Sequence, residues 1–172
     1  MSALESILVT YAADKLTQLS GRIQACVDKL TPEQIWARHT ENENAIGNLM
    51  LHLEGNVRQW ILGSMGGAAD VRVRDREFAA RGGIAIADLQ DRLRSTVDQA
   101  VAVLRALPAP RLAERITVQG YNLTVLEAII HVVEHFSGHT GQIIFATKLL
   151  TGEDLGFYAH LRTAKPHSEK TQ

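Results

Sequence analysis

The chain has 172 residues, 45% of them hydrophobic, and a formal charge of −1 at pH 7. This length suits one domain with a sizeable core, and the near balance of acidic and basic residues gives no electrostatic basis for binding nucleic acid or an anionic membrane. The single cysteine, Cys26, rules out an internal disulfide, and no apolar run reaches the roughly 18 residues needed to span a bilayer. Because the N-terminus also lacks the basic region of a signal peptide, we expect a cytoplasmic protein.

Apolar side chains recur at helical spacing over the first 30 residues. Their pattern predicts a first helix of about 25 residues, followed by one short helical turn that Thr31 and Pro32 introduce. The apolar stripe of the first helix comprises Leu4, Ile7, Leu8, Tyr11, Leu19, Ile23, Val27 and Leu30.

A second long helix is predicted between Asn44, its N-cap, and Gly63, its stop. Its apolar face is bordered by Asn48, His52 and Asn56, which lie four residues apart. Such a polar row beside the core-facing side is unusual for a simple surface helix.

Two further long helices follow a long connection. The first ends before the sequence "PAP", and "RITVQGYNLTV" then predicts either a small two-stranded turn or an extended loop. The last helix begins at a capping box formed by Thr124 and Glu127 and ends before Gly152. Four long amphipathic helices predict an all-α four-helix bundle with a long crossover connection, with one domain at 1–160 and a polar tail at 161–172.

The last helix carries three histidines four residues apart, His131, His135 and His139. Adjacent members of this row lie on one face and can reach the same metal ion, whereas the outer two are two turns apart. A buried neutral imidazole needs both a donor and an acceptor, and a helix interior offers few of them. A metal site therefore explains the row better than three core histidines do.

Two pairs within this row are possible metal ligands. His131 and His135 with Glu134 spell H-x-x-E-H, the inverted zinc-protease signature, but a five-residue match is weak evidence, and a helical domain of this size lacks a protease's substrate-enclosing scaffold. The pair His135 and His139 needs a third ligand from another helix, and His52 lies in the middle of one. The spacing thus indicates His52, His135 and His139 as a metal-binding set.

The segments around these histidines resemble a known family. "NAIGNLMLHLEGN" around His52 and "HVVEHFSGHTGQI" around His135 and His139 are similar to segments of the DinB/YfiT-like metalloenzymes, and the resemblance covers nearly the whole chain. Members of that family are four-helix bundles with one histidine on the second helix and an H-x-x-x-H pair before "GQ" on the last. Thr140 stands where many members have arginine, and "VRVRDREF" resembles an uncharacterised branch of the superfamily.

The resemblance implies that His52, His135 and His139 bind a divalent ion (Zn, Ni, Fe or Mn). His131 is expected either to lie beside them or line the pocket, or to be a hydrogen-bonded core histidine. The resemblance also implies a small-molecule substrate and a homodimer. Three neutral imidazoles leave the charge of an ion uncompensated, so a bound water or thiol is favoured in its deprotonated form. Because characterised relatives include thiol S-transferases, the resemblance implies a transferase that activates a low-molecular-weight thiol for attack on an electrophile. The alternatives are a metal-dependent hydrolase, a non-catalytic, stress-associated metal-binding protein, and a metal-free bundle that acts through a helical interface.

Three polar residues near the histidines are further candidates for the pocket. Gln142, one turn from His139, can orient it, bond a carbonyl group or simply pack against the helix. Asn48 and Asn56 flank His52 by one turn each and are expected to line the pocket or to form a buried polar seam.

Three arginines in the long connection alternate along the sequence, Arg72, Arg74 and Arg76. If this segment is extended, they lie on one side of it and can gather an anionic thiol or a substrate carboxylate. A charged connection is more often only solvated, and that interpretation remains open.

Overall fold

The chain is mostly helical in a computed structural model that describes residues 3–162. Helix α1 spans Ala3–Val27, α2 spans Pro32–Ile35, and α3 spans Ile46–Val57 and continues as a π-helical turn over Arg58–Gly63. After α4 (Arg74–Ala79) and α5 (Ile86–Ala106), strands β1 (Arg115–Val118) and β2 (Tyr121–Thr124) precede α6 (Val125–Thr151). Short 3-10 segments occur at Ala109–Ala113 and Ala159–Arg162. The predicted all-α class is correct apart from the small sheet.

The predicted capping box and glycine stop of α6 are both present. The Thr124 hydroxyl accepts a hydrogen bond from the Glu127 N–H, and the Glu127 carboxylate accepts one from the Thr124 N–H. Gly152 ends the helix with φ of 70°, a conformation that glycine adopts without strain. The residues at each end of α6 therefore determine where this helix begins and ends.

The predicted start of α3 is wrong by one residue. Ala45, not Asn44, is the N-cap of α3. The Ala45 N–H donates to the Asn48 side chain at 3.2 Å. Asn48 therefore serves this end of the helix from inside it, and no capping side chain is needed at the N-cap position.

Contacts between the long helices fix their directions. α1 runs antiparallel to α5, because Asp14 pairs with Arg105 and Asp28 with Gln90. α1 runs parallel to α6, because Tyr11 and Val133 line one groove and Lys29 pairs with Glu153 just beyond the C-terminal ends of both helices.

α3 runs parallel to α5 and antiparallel to α6. Arg58 donates to Thr96 of α5, and Gly66, further along the chain, lies beside Val103. Two parallel helices must be joined by a connection that returns along the molecule. The segment 64–85 makes this return, and α4 lies within it.

The core lies between α1, α3, α5 and α6 and contains large side chains from each. Fully buried examples are Leu16, Ile23, Leu53, Trp60, Leu93 and Phe136. Within residues 3–162, no helix has the length and hydrophobicity that crossing a membrane would require.

The segment before α6 is a β-hairpin, the first of the two predicted alternatives. β1 and β2 pair antiparallel, with Val118 opposite Tyr121. Gln119 and Gly120 between them have φ of 52° and 81°, as a two-residue type I′ turn requires.

Two predictions at the chain ends have different outcomes. The predicted apolar stripe of α1 is not buried along its whole length, because Leu4, Ile7 and Tyr11 are exposed. The predicted polar tail lies outside the described residues from position 163 onwards.

Candidate metal centre

Three histidines from α3 and α6 converge where these two helices meet. His52, His135 and His139 each offer one nitrogen such that the three atoms lie within 4.8 Å of one another, a grouping that can hold a metal ion. The Nε2 atoms of His52 and His135 are 3.0 Å apart. The ring centroid of His139 lies 5.1 Å from that of His52 and 4.5 Å from that of His135. The structure thus brings together the three histidines that the sequence indicated.

The buried His52 is held from behind by a carboxylate on α4. Its Nδ1 lies 2.9 Å from Glu77 Oε2. Arg72 Nη2 is also 3.1 Å from this nitrogen, but it already donates to Glu77 Oε2 at 2.8 Å. The shorter contact with the Glu77 carboxylate, which only accepts hydrogen bonds, assigns the proton to Nδ1 and leaves the Nε2 lone pair on the side of His135. A carboxylate in this position commonly orients a metal-binding imidazole.

A buried arginine in turn holds Glu77. The Arg72 guanidinium donates from Nε to Oε1 at 2.7 Å and from Nη2 to Oε2 at 2.8 Å, and its Nη1 donates to Gln59 at 3.0 Å. Burial raises the pKa of Glu77, but the hydrogen bonds from Arg72 and His52 outweigh it, and the pKa lies below its usual value of 4.5. Glu77 is therefore ionised at neutral pH and remains an acceptor for His52.

A glycine on α3 makes room for this ion pair. A Cβ atom at Gly55 would lie 2.2 Å from Glu77 Oε1 and 2.9 Å from Arg72 Nε. The Arg72–Glu77 pair therefore rests directly on the α3 backbone, one turn beyond His52.

The two α6 histidines of the cluster, His135 and His139, are held in the neutral form. His139 Nδ1 lies 2.7 Å from the Gln142 side-chain oxygen, which accepts its proton and leaves Nε2 free. Burial, with smaller contributions from His139 and His52, lowers the pKa of His135 to about 3. Burial also lowers the pKa of His139. Both imidazoles are neutral at neutral pH, as metal ligands must be.

This donor set fits a divalent metal ion. His52 and His139 each have the nitrogen remote from the cluster engaged by an acceptor, which leaves one lone pair for coordination. His135 Nδ1 is buried and has no hydrogen-bond partner within residues 3–162. Three protein ligands are also the number that leaves a coordination position for water or a substrate.

Asn48 holds α4 in place instead of lining the cluster. Its amide nitrogen donates to the Glu77 carbonyl at 2.7 Å and to the Ala80 carbonyl at 3.0 Å. Arg38 donates to the Asn48 side-chain oxygen and to the Phe78 and Ala80 carbonyls. Asn48 thus fixes the backbone that presents Glu77 to His52.

The other two predicted pocket residues lie along the α3–α6 seam. His131 stacks against Trp60, with ring centroids 4.2 Å apart, and its ring is 5.8 Å from that of His135. Asn56 is buried, and its side-chain oxygen has no hydrogen-bond partner in the described part of the chain. His131 therefore lies beside the cluster of three and is not a member of it.

The three arginines do not share one side of an extended segment, and that prediction is wrong. Arg74 already belongs to helix α4, and the Arg72 side chain is only 3% exposed. The Arg74 guanidinium lies 4.8 Å from the Phe78 ring centroid, and that ring is in turn 4.7 Å from the His52 ring. Arg76 instead lines a cavity beside α3. Arg72 thus has a structural role, since it holds Glu77. Arg74 is the arginine of the three that packs on the Phe78 ring.

Glu134, the catalytic base of the protease alternative, does not lie at the cluster. It is exposed and lines a groove between α1 and α6 with Tyr11, Lys15 and Arg22. The H-x-x-E-H pattern therefore does not form a protease site in this fold.

Sequence reasoning missed Glu77, Phe78 and Gly55. The one sequence signal for Glu77 was its place among arginines in "VRVRDREF", a segment that the family resemblance singled out without assigning a role to the acid. A metal-binding histidine commonly needs a carboxylate behind it. Looking for an acidic residue to support His52 would therefore have identified Glu77 as a candidate.

The fold and the cluster define a class: a helical protein with a three-histidine grouping able to hold a metal ion. The chain belongs to the family described as "Protein of unknown function (DUF1572)", whose model matches residues 6–162. Its fold is similar to the crystal structure of a conserved protein from Enterococcus faecalis, with a TM-score of 0.68 at 14% identity, covering 83% of this chain and 96% of that one. No curated protein gives a significant match.

Proposed function

We propose that the protein is a metal-dependent enzyme of the DinB/YfiT type, a four-helix bundle in which His52, His135 and His139 hold one divalent ion. The observation that carries this proposal is the convergence of the three histidine nitrogens within 4.8 Å. The ion is Zn, Ni, Fe or Mn, and imidazole suits several of these. When bound, such an ion lowers the pKa of a coordinated thiol or water.

The proposed reaction is the transfer of a low-molecular-weight thiol to a small electrophile. The preference for a thiol over water rests on the sequence resemblance. The residues beside the cluster support binding of such a molecule, because Phe78 and His131 offer ring faces and the exposed Arg74 offers a positive charge next to Phe78. A carboxylate of the thiol would suit the Arg74 guanidinium.

The metal is tested by elemental analysis of protein purified without chelators. We expect close to one ion per chain in the wild type and loss of it in His52→Ala and His139→Ala. The matched control is His131→Ala, which changes a histidine of the same row outside the cluster and should keep its metal. An unchanged metal content in both cluster variants would overturn the assignment.

The reaction is tested with glutathione, bacillithiol and mycothiol, each with monochlorobimane as the electrophile. The thiol sulfur displaces chloride, the thiol proton passes to the buffer, and the product fluoresces. We expect the metal-loaded protein to accelerate conjugation over the metal-free protein with at least one thiol. Metal-dependent ester hydrolysis without any thiol would instead identify a hydrolase. Metal binding with neither activity would identify a binding protein.

We also propose that the protein is a cytoplasmic homodimer. Leu4, Ile7 and Tyr11 form one exposed face of α1, and Ile130 of α6 is exposed near the same end. Because α1 and α6 run parallel and Tyr11 and Val133 line one groove, we expect these side chains to form one apolar patch that a second copy can cover. A buried, free Cys26 is compatible with a reducing compartment.

A further inference from the structure

A cavity lies beside α3, and none of the three clustered histidines lines it. Its volume is about 370 Å³, within the range of small-molecule sites. Leu51, Glu54 and Arg58 line it from α3, and residues of the connection and of α4 close it from outside. Arg72 and Glu77, which hold His52, form the wall that the cavity shares with the histidine site.

The charged residues of this cavity are mostly arginines. Of the described residues that line it, four are arginines and two are glutamates, which leaves two positive charges in excess. Glu54 pairs with Arg58 at 3.0 Å and with Arg92 at 3.5 Å, and Glu77 is taken by Arg72. Arg76 is exposed and, within residues 3–162, forms no ion pair. Its guanidinium therefore has its donors free for an anion.

The remaining wall is apolar. Val71, Val73 and Ile84 come from the connection, and Leu51 and Ala80 close the inner side. Val71 is 74% exposed and Val73 is 50% exposed, so nothing within residues 3–162 covers these two β-branched side chains. An anion that also carries a short apolar chain would contact both the arginines and the apolar residues of the cavity.

We infer that this cavity binds a small carboxylate with an apolar tail. Arg76 receives the carboxylate, because its guanidinium fork matches the two carboxylate oxygens. Arg58 and Arg92 line the same cavity but are paired with Glu54. Val71, Val73 and Ile84 cover the tail. None of the three clustered histidines lines this cavity, although Arg72 and Glu77, which hold His52, form part of its wall.

Calorimetric titration of the full-length chain with hexanoate tests the site. Hexanoate should bind with a Kd on the order of 1 mM, since so few atoms give a limited affinity. Hexanamide, which lacks the charge, and acetate, which lacks the tail, should each bind about tenfold more weakly or not at all. Binding should persist after removal of metal, because none of the three clustered histidines lines the cavity.

Two exposed substitutions locate the site without disturbing the fold. Arg76→Gln removes the free cation and Val71→Ser shortens the apolar wall, and each should weaken hexanoate binding about tenfold. The matched control is Arg105→Gln, an exposed arginine of α5 that pairs with Asp14 outside the cavity, and it should bind like the wild type. Absence of saturable binding, equal binding of hexanamide, or wild-type binding by Arg76→Gln would each overturn the proposal.

Discussion

The contact between His52 and Glu77 decides which nitrogen of the histidine faces the cluster. Replacing Glu77 with Gln removes the charge that holds the Nδ1 proton and leaves the Arg72 guanidinium buried without a counter-charge. We predict that Glu77→Gln lowers metal affinity about 10- to 100-fold, the usual effect of losing such a supporting carboxylate. Competition with a chromophoric chelator measures the change.

The control for this substitution is Glu134→Gln. It makes the same chemical change one residue before His135, on a side chain that lines the α1–α6 groove, and metal affinity should not change. Far-UV circular dichroism of both variants checks that they are folded. If folded Glu77→Gln binds metal as tightly as the wild type, the carboxylate does not support the site.

Gly55 gives a second test of the same pair. Alanine favours a helix interior over glycine by about 1 kcal/mol, so Gly55→Ala should stabilise the protein if only helix propensity mattered. Because its Cβ would meet Glu77 Oε1 at 2.2 Å, we predict the opposite, a lower melting temperature together with weaker metal binding. Thermal unfolding and the chelator competition measure both effects.

Gly138→Ala is the matched control. An added Cβ at Gly138 meets nothing within 4 Å among the described residues, and the residue lies next to His139 in α6. This variant should be more stable than the wild type and should bind metal equally well. A similar gain of stability from Gly55→Ala would contradict the claim that the ion pair rests on that glycine.

The sequence identified the three histidines but not Glu77 and Arg72, which support His52, because these residues are far from His52 along the chain. His135 and His139 are four apart, and His52 stands in a helical polar row, so local periodicity brings out all three. Glu77 reaches His52 across 25 positions, through a segment with no strong periodicity. The burial of Arg72 was not predictable either, because an alternating charged segment looks the same whether it is solvated or folded back.

The capping box of α6 makes the stability of that helix depend on pH. Hydrogen bonds from the Thr124 N–H and hydroxyl lower the pKa of Glu127 below its usual 4.5. A lowered pKa means that folding favours the ionised form, so the stabilisation is present above about pH 4.5 and disappears as the pH falls through the lowered value. Glutamine can still form the box but carries no charge.

We therefore predict that Glu127→Gln is less stable than the wild type at neutral pH. The two proteins should be equally stable at a pH below the pKa values of Glu127 in both the folded and the unfolded state. Urea unfolding at a series of pH values measures the difference between the two proteins. Glu114→Gln, at an exposed glutamate before β1, is the control and should not reproduce this pH dependence. A difference that persists unchanged in acid would mean that the charge of Glu127 has no part in the cap.

Among the secondary-structure elements, helices with local start and stop signals were predicted well. Elements held by residues far away in the sequence were not. α5 and α6 carry their own periodicity, and α6 also carries its capping box and Gly152. α4 has only six residues, too few to be stable alone. It depends on Asn48 and Arg38, which bind its end from 29 to 42 positions away. No local pattern records such contacts.

For the whole molecule, the cluster joins α3 to α6, so a bound ion should stabilise the fold. At a free concentration about a hundred times its Kd, a ligand of the native state adds about 2.7 kcal/mol. For a chain of this size that raises the melting temperature by about 5 to 10 °C. Differential scanning calorimetry with added Zn and then with a chelator measures the shift and its reversal.

Two histidine variants show which residues carry this shift. His139→Ala should lose it, because one of the three ligands is gone. His131→Ala should start from a lower melting temperature, since it loses its stacking on Trp60, yet keep the shift. Loss of the shift in His131→Ala but not in His139→Ala would favour the other histidine pair and contradict the proposed ligand set.

The apolar patch on α1 and α6 makes a further prediction about assembly. Leu4, Ile7 and Tyr11 are 65%, 63% and 59% exposed, and they lie on one face because they are three and four positions apart. We predict that sedimentation equilibrium gives twice the chain mass of 18.9 kDa, and that Ile7→Glu, which places a charge inside the interface, gives the single-chain mass. Val71→Glu adds the same charge at an exposed residue elsewhere and should leave the dimer intact. A single-chain mass for the wild type would mean that this face is not covered by a second copy.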